Sequence, residues 1–355
     1  MRLLDCEHMM RMRQTIETFS DPMLGATWRE LGAIRHAEKL DGRWHADIEL
    51  GYPTEGLDEE YSRAVAAWLD DEVILGLKFR VPETKGIPGV KNIIAIASGK
   101  GGVGKSTVAV NLALALSHLG AKTGILDADI YGPSQGIMLG VPEGRRPDVK
   151  DDRFVPIKKH GIEAMSMSML VTEKTPMVWR GPMVSGALQQ LINQSAWTDL
   201  DYLIVDMPPG TGDIQLTLSQ SVPVGGAVIV TTPQDIALAD ARKGIEMFSK
   251  VDIPILGIIE NMSFFTCDKC GERHHLFGVD GGIRVAEEYD TDLLGAFPLA
   301  QRIREETDAG RPTVAGDPDG EIASQFRNCA RLTAAKLWQT LGDTSVGPTI
   351  KMDDS

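Results

Sequence analysis

One ten-residue stretch, residues 98–107, limits the possible folds of this chain more than any other feature. It reads SGKGGVGKST, follows the apolar run 93–97 and precedes the helix-forming segment 108–119. The stretch contains the spacing G-x-x-x-x-G-K-S at four residues, Gly99, Gly104, Lys105 and Ser106. A strand, a glycine-rich turn and a helix in this order form a phosphate-binding loop. A glycine-rich turn without a ligand is the alternative, and the flanking strand and helix disfavour it.

The residue types in this loop suit a nucleotide and a magnesium ion. Glycines let backbone N–H groups approach an anion, Lys105 can neutralise the outer phosphates, and the Ser106 hydroxyl can bind magnesium. We therefore predict that ATP is held by the whole loop, which comprises Gly99, Lys100, Gly101, Gly102, Val103, Gly104, Lys105, Ser106 and Thr107.

Carboxylates follow two further apolar runs. Asp127 and Asp129 come after the run 123–126, and Asp206 comes after the run 202–205. Because parallel strands present their carboxyl ends at one edge of a sheet, we expect these groups near the phosphate loop. A phosphate-hydrolysing site needs an acid that orients water and others that hold hydrated magnesium. Asp206 is predicted to bond a magnesium-bound water, and loop capping is the alternative for the other two.

The pattern of the chain predicts two domains. Alternating residues 43–50, a helical pattern over 61–69 and an apolar strand over 73–79 indicate a small α+β domain. Beyond it, short continuous apolar runs alternate with helices, which indicates an α/β fold with a largely parallel sheet covered by helices. The predicted division is a small domain at 1–80, a linker at 81–90, a P-loop ATPase domain at 91–341 and a polar tail at 342–355.

Composition limits the partners and the location. The chain of 355 residues carries 36 basic and 50 acidic residues, a net charge of −14. This charge disfavours nucleic acid and anionic membranes as partners. The first residues lack a signal-peptide pattern, and no apolar run is long enough for a membrane span. We expect a cytoplasmic protein.

Two of the four cysteines, Cys267 and Cys270, form a C-x-x-C motif. Such a turn presents two thiolates to a soft metal or a cluster, whereas zinc sites and many iron–sulfur clusters need four ligands. A zinc knuckle completed by His274 and His275 is one alternative, and a redox dithiol is another. The remaining cysteines, Cys6 and Cys329, are predicted to bind no metal, and Cys329 lies in a helical core pattern.

Several segments together resemble the Mrp/ApbC family of iron–sulfur cluster carrier ATPases, a branch of the MinD/ParA P-loop ATPases. The resemblance covers about residues 91–340 and rests on 100–107, 127–134, 177–183, 206–213, 260–263 and 267–278. The early lysine of the deviant Walker A motif is Lys100, which in this branch reaches the nucleotide of a partner subunit. A homodimer is therefore implied, and a lysine that only adds local positive potential is the alternative.

The resemblance also implies roles for single residues. It assigns water positioning to Asp129, magnesium support to Asp127 and adenine recognition to Asn261, for which a turn-forming role is the alternative. It implies that Cys267 and Cys270 hold a [4Fe–4S] cluster between two subunits. The partners implied are apo iron–sulfur proteins and cluster-assembly scaffolds. No role for Trp179 and Arg180 follows from their spacing.

Two other functions are alternatives to an iron–sulfur cluster carrier. A MinD/ParA-like positioning ATPase leaves the C-x-x-C motif unexplained. An ATP-coupled electron-transfer reductase carries its cluster cysteines in two separated segments, unlike Cys267 and Cys270.

The small N-terminal domain resembles one found in iron–sulfur assembly proteins, but residues 51–55 lack the cysteine of its active members. A docking or regulatory role is expected for this domain.

Overall fold

The structure is a computed structural model that describes residues 16–84, 86–130, 132–169 and 181–344. The predictions for Cys6, Trp179 and Arg180 lie outside these ranges. The chain divides into two compact units. Met1–Pro82 and Ala334–Ser355 make up the first unit, and Glu83–Thr333 makes up the second.

The first unit is a three-stranded sheet with one helix. Its elements are β1 (Ile34–Leu40), β2 (Arg43–Leu50), α1 (Asp58–Leu69) and β3 (Val73–Phe79). Strands β1 and β2 are antiparallel and joined by a tight turn, in which Asp41 and Gly42 both have positive φ. Strands β2 and β3 are parallel, so the connection between them must cross over, and α1 provides it.

The core of the first unit follows from the alternation in β2. Trp44, Ala46, Ile48 and Leu50 are all buried, and α1 adds Tyr61 and Val65 from positions four apart on one helical face. A buried carboxylate lies beside these side chains. Asp21 accepts hydrogen bonds from the Tyr52 hydroxyl at 2.6 Å and from the Trp28 indole N–H at 3.3 Å. Burial of this phenol raises the pKa of Tyr52, so it stays a neutral donor.

The last helix of the chain contributes residues to both units. Helix α10 spans Glu321–Thr344, and its residues from Ala334 onward group with the first unit. Trp338 lies against Gly51, where a Cβ atom would overlap its indole ring, and its ring centroid is 5.9 Å from that of Tyr52. The unit division thus differs from the predicted domain limits, because the helical pattern of this segment does not reveal which core it joins.

The second unit contains a nine-stranded sheet. Its strands are β4 (Val90–Ala97), β5 (Thr123–Asp127), β8 (Ile157–Lys159), β9 (Ile162–Ser166), β10 (Leu200–Asp206), β11 (Gly226–Thr231), β12 (Ile255–Thr266), β13 (Arg273–His274) and β14 (Leu293–Pro298). They lie in the order β13-β12-β11-β4-β10-β5-β9-β8, with β14 paired to β12. A separate hairpin consists of β6 (Asp148–Lys150) and β7 (Arg153–Val155).

Helices connect these strands and supply the rest of the core. They are α2 (Lys105–His118), α3 (Gln135–Met138), α4 (Gly181–Gln194), α5 (Asp213–Ser221), α6 (Asp235–Ser249), α7 (Gly281–Glu288), α8 (Gln301–Asp308), α9 (Thr313–Gly316) and the first part of α10. Six strand pairs of the sheet are parallel, and only the pairings of β8 and β13 are antiparallel. The predicted α/β fold with a largely parallel sheet is confirmed.

Strand β12 is the element that differs most from the sequence-based expectation. The apolar run predicts a strand over 255–259, whereas β12 extends to Thr266. Its parallel pairing with β11 ends at Glu260, after which Phe265 and Thr266 pair with β13. Met262 has φ +55 at this change of partner. The sequence conceals this extension because Glu260 and Asn261 interrupt the apolar run, and the partners of Phe265 and Thr266 come from a later part of the chain.

None of the helices among the described residues combines the length and the apolar character needed to cross a membrane.

Candidate functional site

The phosphate loop connects β4 to α2, as the sequence predicts. Gly104 precedes α2 with φ +82, and no side chain caps the first turn of this helix. The first N–H groups of the helix are therefore available to an anion. Two glycines are also required by packing, since a Cβ atom at Gly99 would overlap the Asp240 carbonyl and one at Gly104 would overlap the Asn261 amide.

Lys105 and Asp206 form a buried ion pair at the start of α2 and the end of β10. Lys105 is 6% exposed, and its Nζ atom contacts Asp206 Oδ1 and lies 3.3 Å from the Ser106 hydroxyl. The sequence predicted both residues as nucleotide-site residues, and the fold brings them into direct contact. Here the charge of the lysine is balanced by the carboxylate.

Asp127 lies directly beside Asp206, because the two are register partners on the parallel strands β5 and β10. Its carboxylate accepts hydrogen bonds from the backbone N–H groups of Asp129, Ser134 and Gln135 and from the Ser166 hydroxyl, at 2.9 to 3.1 Å. Burial, and then the charge of Asp206, raise the pKa of Asp127 to about 7. This carboxylate shapes the loop that follows β5 as well as adding negative charge.

Asp129 lies in that loop and is also buried. Its Oδ1 atom accepts a hydrogen bond from the Gly132 N–H at 3.2 Å, and its own N–H donates to Asp127. The loop is thus folded by its two aspartates, as the loop-capping alternative expects. Capping and a role in hydrolysis are compatible, because one carboxylate oxygen of Asp129 has no protein donor among the described residues.

Gln135 is a site residue that the motifs do not reveal. Its amide donates to Asp206 Oδ2 at 2.8 Å and to the Ser106 carbonyl at 3.0 Å. It lies at the first residue of α3, more than twenty positions from the phosphate loop. The only sequence signal is its place just after a loop rich in glycine, proline and aspartate, which is too general to identify it.

Lys100 lies in the phosphate loop with a partly exposed side chain. Within the described part of the chain its ammonium group has neither an ion pair nor a hydrogen bond. The Ser98 hydroxyl binds its backbone carbonyl at 2.9 Å and so fixes the main chain of this turn. The resemblance predicts that Lys100 reaches the nucleotide of a partner subunit. No contact of its ammonium group with the described residues of its own subunit competes with this role.

Asn261 lies against the phosphate loop. Its amide Nδ2 donates to the Val103 carbonyl at 2.9 Å, and the side chain is buried. The amide therefore ties β12 to the loop between Gly102 and Gly104. Adenine recognition, which the resemblance implies, stays a prediction for this residue.

Cys267 and Cys270 form the turn of the hairpin between β12 and β13. Cys267 closes the turn through its N–H bond to the Glu272 carbonyl at 2.9 Å, and the Gly271 N–H donates back to its carbonyl at 2.8 Å. The backbone N–H groups of Lys269 and Cys270 point at the Cys267 sulfur and lower the pKa of this thiol. Cys270 is exposed and Cys267 partly exposed, so both can meet an external ligand.

Neither histidine joins the two cysteines. His275 Nδ1 lies 3.2 Å from the Ser263 carbonyl, and His274 Nε2 lies 3.9 Å from Glu272 Oε2. Throughout the described ranges, no three His, Cys, Asp or Glu side chains are grouped so that they could hold a metal ion. Among the described residues, His274 and His275 are thus not grouped with the two cysteines as a zinc knuckle requires.

Cys329 belongs to the core, as predicted. It is buried in α10, and burial raises the pKa of its thiol to about 12. It stays protonated at neutral pH and is unsuited to bind a metal.

Comparison with known proteins identifies the family of this fold and site. The sequence profile of a ParA group, described as the NUBPL iron-transfer P-loop NTPase, matches residues 89–334. The chain belongs to this family. The resemblance of the motifs to the Mrp/ApbC iron–sulfur cluster carrier ATPases is thereby confirmed, and the match covers nearly all of the second unit.

Known relatives of these NTPases extend the comparison to the first unit. The iron-sulfur cluster carrier protein of Escherichia coli K12 is 49% identical over 339 residues, which cover 92% of this chain and 91% of that protein. A protein of the same name from Pseudomonas fragi is 62% identical over 246 residues, 69% of this chain and 86% of that protein. The solved structure of a nucleotide-binding protein from Archaeoglobus fulgidus with ADP is 36% identical, with a TM-score of 0.59 over 67% of this chain and 93% of that chain.

Proposed function

We propose that this protein is an ATPase that carries a [4Fe–4S] cluster between two copies of the chain and transfers it to apoproteins. The observation that carries the proposal is the exposed C-x-x-C turn, which offers two thiolates and gathers no third ligand from the described residues. A four-thiolate cluster then requires a second copy. The relatives named iron-sulfur cluster carrier proteins support this cargo.

The phosphate loop gives the proposed ATPase its nucleotide site. The N–H groups at the start of α2 and the Lys105 ammonium group would hold the phosphates, and Lys100 would reach the nucleotide of the partner subunit. Asn261, which already contacts the loop at Val103, is the candidate for the adenine. The ADP complex of the Archaeoglobus fulgidus protein supports a nucleotide at this kind of site.

The acidic side of the site fits a magnesium ion. Magnesium prefers hard oxygen ligands and keeps several of its waters, and the Ser106 hydroxyl with the buried carboxylates of Asp127 and Asp206 provides such a set. The bound ion would neutralise charge that develops on the phosphates. Ser106 would ligate it directly, whereas Asp206 and Asp127, whose oxygens already accept protein hydrogen bonds, would act through water.

The residues of this chain would then perform three tasks in hydrolysis. Lys105 would neutralise the outer phosphates with its ammonium group, and Asp206 would hold water at the magnesium site. Asp129 orients the attacking water with its carboxylate. The Gly210 N–H bonds the Ser98 carbonyl at 2.9 Å, so the loop after Asp206 is tied to the phosphate loop and can respond to loss of the outer phosphate.

The proposal also concerns the partners and the location of the protein. Recipient proteins and assembly scaffolds are the expected partners, and a cytoplasmic location stays a prediction. A positioning ATPase would leave unexplained why the hairpin exposes two thiols, one of them with a lowered pKa.

The experiment is anaerobic reconstitution with iron and sulfide, followed by iron, sulfide and zinc analysis and by measurement of mass in solution. We expect one [4Fe–4S] cluster per dimer, with about four irons per two chains. Cys267→Ser and Cys270→Ser should each abolish the cluster. Cys329→Ser is the matched control, because its thiol is buried in the core, and it should retain the cluster.

Changing both His274 and His275 to alanine separates the cluster from a zinc knuckle. The cluster should survive, because thiolates suffice as its ligands. A protein that stays colourless after reconstitution, binds one zinc per monomer and loses it in the double histidine variant would refute the carrier and leave the ATPase.

A further inference from the structure

Gln135 contacts three parts of the proposed nucleotide site through its side chain and its backbone N–H. Its side chain is 1% exposed, and its Nε2 donates to the Ser106 carbonyl at 3.0 Å and to Asp206 Oδ2 at 2.8 Å. Its backbone N–H donates to Asp127 Oδ2 at 3.0 Å. One buried residue thus joins the phosphate loop, the end of β10 and the loop after β5.

The chemistry of these partners fixes the orientation of the Gln135 amide. The Ser106 carbonyl and the Asp206 carboxylate can only accept hydrogen bonds, so the amide nitrogen must face them. The Oε1 atom consequently occupies the other branch of the amide. It is buried and has no hydrogen-bond partner among the described residues. An unpaired buried oxygen is unfavourable, so a bound donor would stabilise it.

The groups nearest to Gln135 indicate which donor this is. Asp206 and Asp127 are acceptors, and Ser106, whose carbonyl Gln135 binds, is the expected magnesium ligand. A hydrated magnesium ion carries polarised water molecules, which are strong donors. Residues that bind ligands or waters of a metal in this way orient them and raise metal affinity.

We propose that Gln135 is a positioning residue of the magnesium–nucleotide site, whose amide nitrogen holds Asp206 in place and whose Oε1 accepts a hydrogen bond from a metal-bound water. This inference rests on the proposed function, since it concerns the same ATP site. It assigns a role to a residue outside the phosphate-loop and Asp206 motifs.

A purely structural role makes a different prediction. A residue that only fastens α3 to the phosphate loop would support nucleotide binding equally with and without a metal. A residue that acts on the hydrated ion affects only the metal-dependent part of the affinity. The ratio of nucleotide affinity in excess Mg²⁺ to that in EDTA therefore separates the two roles.

The test is Gln135→Met, which keeps the length of the side chain and removes both polar groups. The affinity for a fluorescent, non-hydrolysable ATP analogue is measured in Mg²⁺ and in EDTA. We expect the ratio of the two affinities to fall by about 10- to 100-fold, while the affinity in EDTA stays that of the wild type. Mn²⁺ binding to the ADP complex, followed by electron paramagnetic resonance, should weaken by the same factor.

Gln325→Met is the matched control, because Gln325 on α10 also has an Oε1 atom that is buried and unpaired among the described residues. Its ratio should equal that of the wild type. Gln135→Asn, which keeps the amide but is one methylene shorter, is a second variant and should lower the ratio in the same direction.

An unchanged ratio in both Gln135 variants would overturn the proposal. Equal losses in Mg²⁺ and in EDTA, with a lower melting temperature, would also overturn it in favour of the structural role. A wild-type protein that binds no nucleotide in either condition would refute the proposed ATPase itself, and the inference with it.

Discussion

Lys105 and Asp206 contact each other although each is needed elsewhere in the proposed reaction. Both are buried, so separating them without a replacement partner leaves an uncompensated charge in a low-dielectric environment. A bound nucleotide with its metal would supply a new partner to each group at once. The pair thus stabilises the free protein and makes nucleotide binding and metal binding depend on each other.

We predict that Lys105→Met destabilises the free protein as well as weakening nucleotide binding. Loss of one partner of a buried ion pair costs about 3–5 kcal/mol. The double variant Lys105→Met with Asp206→Asn should recover most of this stability, because both charges of the pair are removed together, yet should not recover nucleotide binding. Chemical denaturation and nucleotide titration measure the two effects. A double variant no more stable than Lys105→Met would contradict the ion-pair argument.

We predict that Asp129→Asn binds nucleotide as the wild type does but hydrolyses it more slowly. Removal of a positioned catalytic group lowers the rate by about 2–4 powers of ten. Asp152→Asn, at an exposed turn with φ +58, is a control that should leave turnover unchanged. Full turnover in Asp129→Asn would remove the water-positioning role.

The sequence predicts some site residues and not others for a physical reason. Gly104, Lys105 and Ser106 form a site through one local turn, so their spacing alone reveals it. Asp206 can be predicted because a carboxylate at the end of an apolar strand is a local signal. The side chain of Gln135 acts through contacts with residues 29 and 71 positions away, and a single sequence contains no trace of such contacts.

Among the elements, β12 connects the two chemical parts of the molecule. It contacts the phosphate loop through Asn261 and ends at Thr266, one residue before Cys267. The distance along six strand residues is about 20 Å. The cysteine turn and the nucleotide loop are therefore attached to the same strand, which gives the proposed coupling of ATP to cluster binding a covalent route.

The contact between Gly104 and Asn261 predicts different effects of alanine at two glycines of one loop. Gly104→Ala should destabilise the protein by about 1–3 kcal/mol, because φ is positive and the new Cβ would overlap Asn261. At Gly101 the nearest atoms to a new Cβ lie 4.0 Å away on Pro209, so Gly101→Ala should change stability by less than about 0.5 kcal/mol. Thermal denaturation of the two variants checks this, and equal melting temperatures would contradict it.

The sequence predicts the limits of strands with a local apolar pattern better than the limits of strands that depend on partners distant in the chain. Strand β3 has the predicted limits, 73–79, because a short apolar run between turns is a local signal. The extension of β12 is not predicted because Glu260 and Asn261 interrupt the apolar run and Met262 has positive φ. The antiparallel strands β6, β7 and β8 were also not predicted, since their few residues lack periodicity.

At the scale of the whole molecule, the proposed dimer makes a prediction about Lys100. Mixing Lys100→Ala chains with Asp129→Asn chains should restore part of the hydrolysis that each homodimer lacks. In the heterodimer, one composite site has the Asp129 of one chain and the Lys100 of the other. Native mass spectrometry confirms heterodimers, and absence of recovery in confirmed heterodimers would show that Lys100 acts within its own chain.

We predict that a substitution at Trp338, which groups with the first unit, changes amide exchange in that unit alone. Trp338→Ala should remove the ring that lies against Gly51 and Tyr52, so amide exchange should rise in residues 44–52. Exchange in β4 and β10, which belong to the second unit, should stay unchanged. Hydrogen–deuterium exchange with mass spectrometry measures both. Thr340→Ala is a control on the same helix and should leave exchange in residues 44–52 unchanged. Wild-type protection of residues 44–52 in Trp338→Ala would contradict the role of the ring.

Because the first unit is composed of both ends of the chain, it cannot be completed in the order in which the ribosome makes it. Residues up to Pro82 emerge first and wait for the segment from Ala334 onward while the whole second unit is synthesised. At usual elongation rates this interval is roughly 13–50 s. A nascent or prematurely terminated chain then exposes the surface that Trp338 covers in the finished protein. The segment from Ala334 onward must therefore be synthesised before the first unit can close, so the folding of this unit depends on a segment made after the whole second unit.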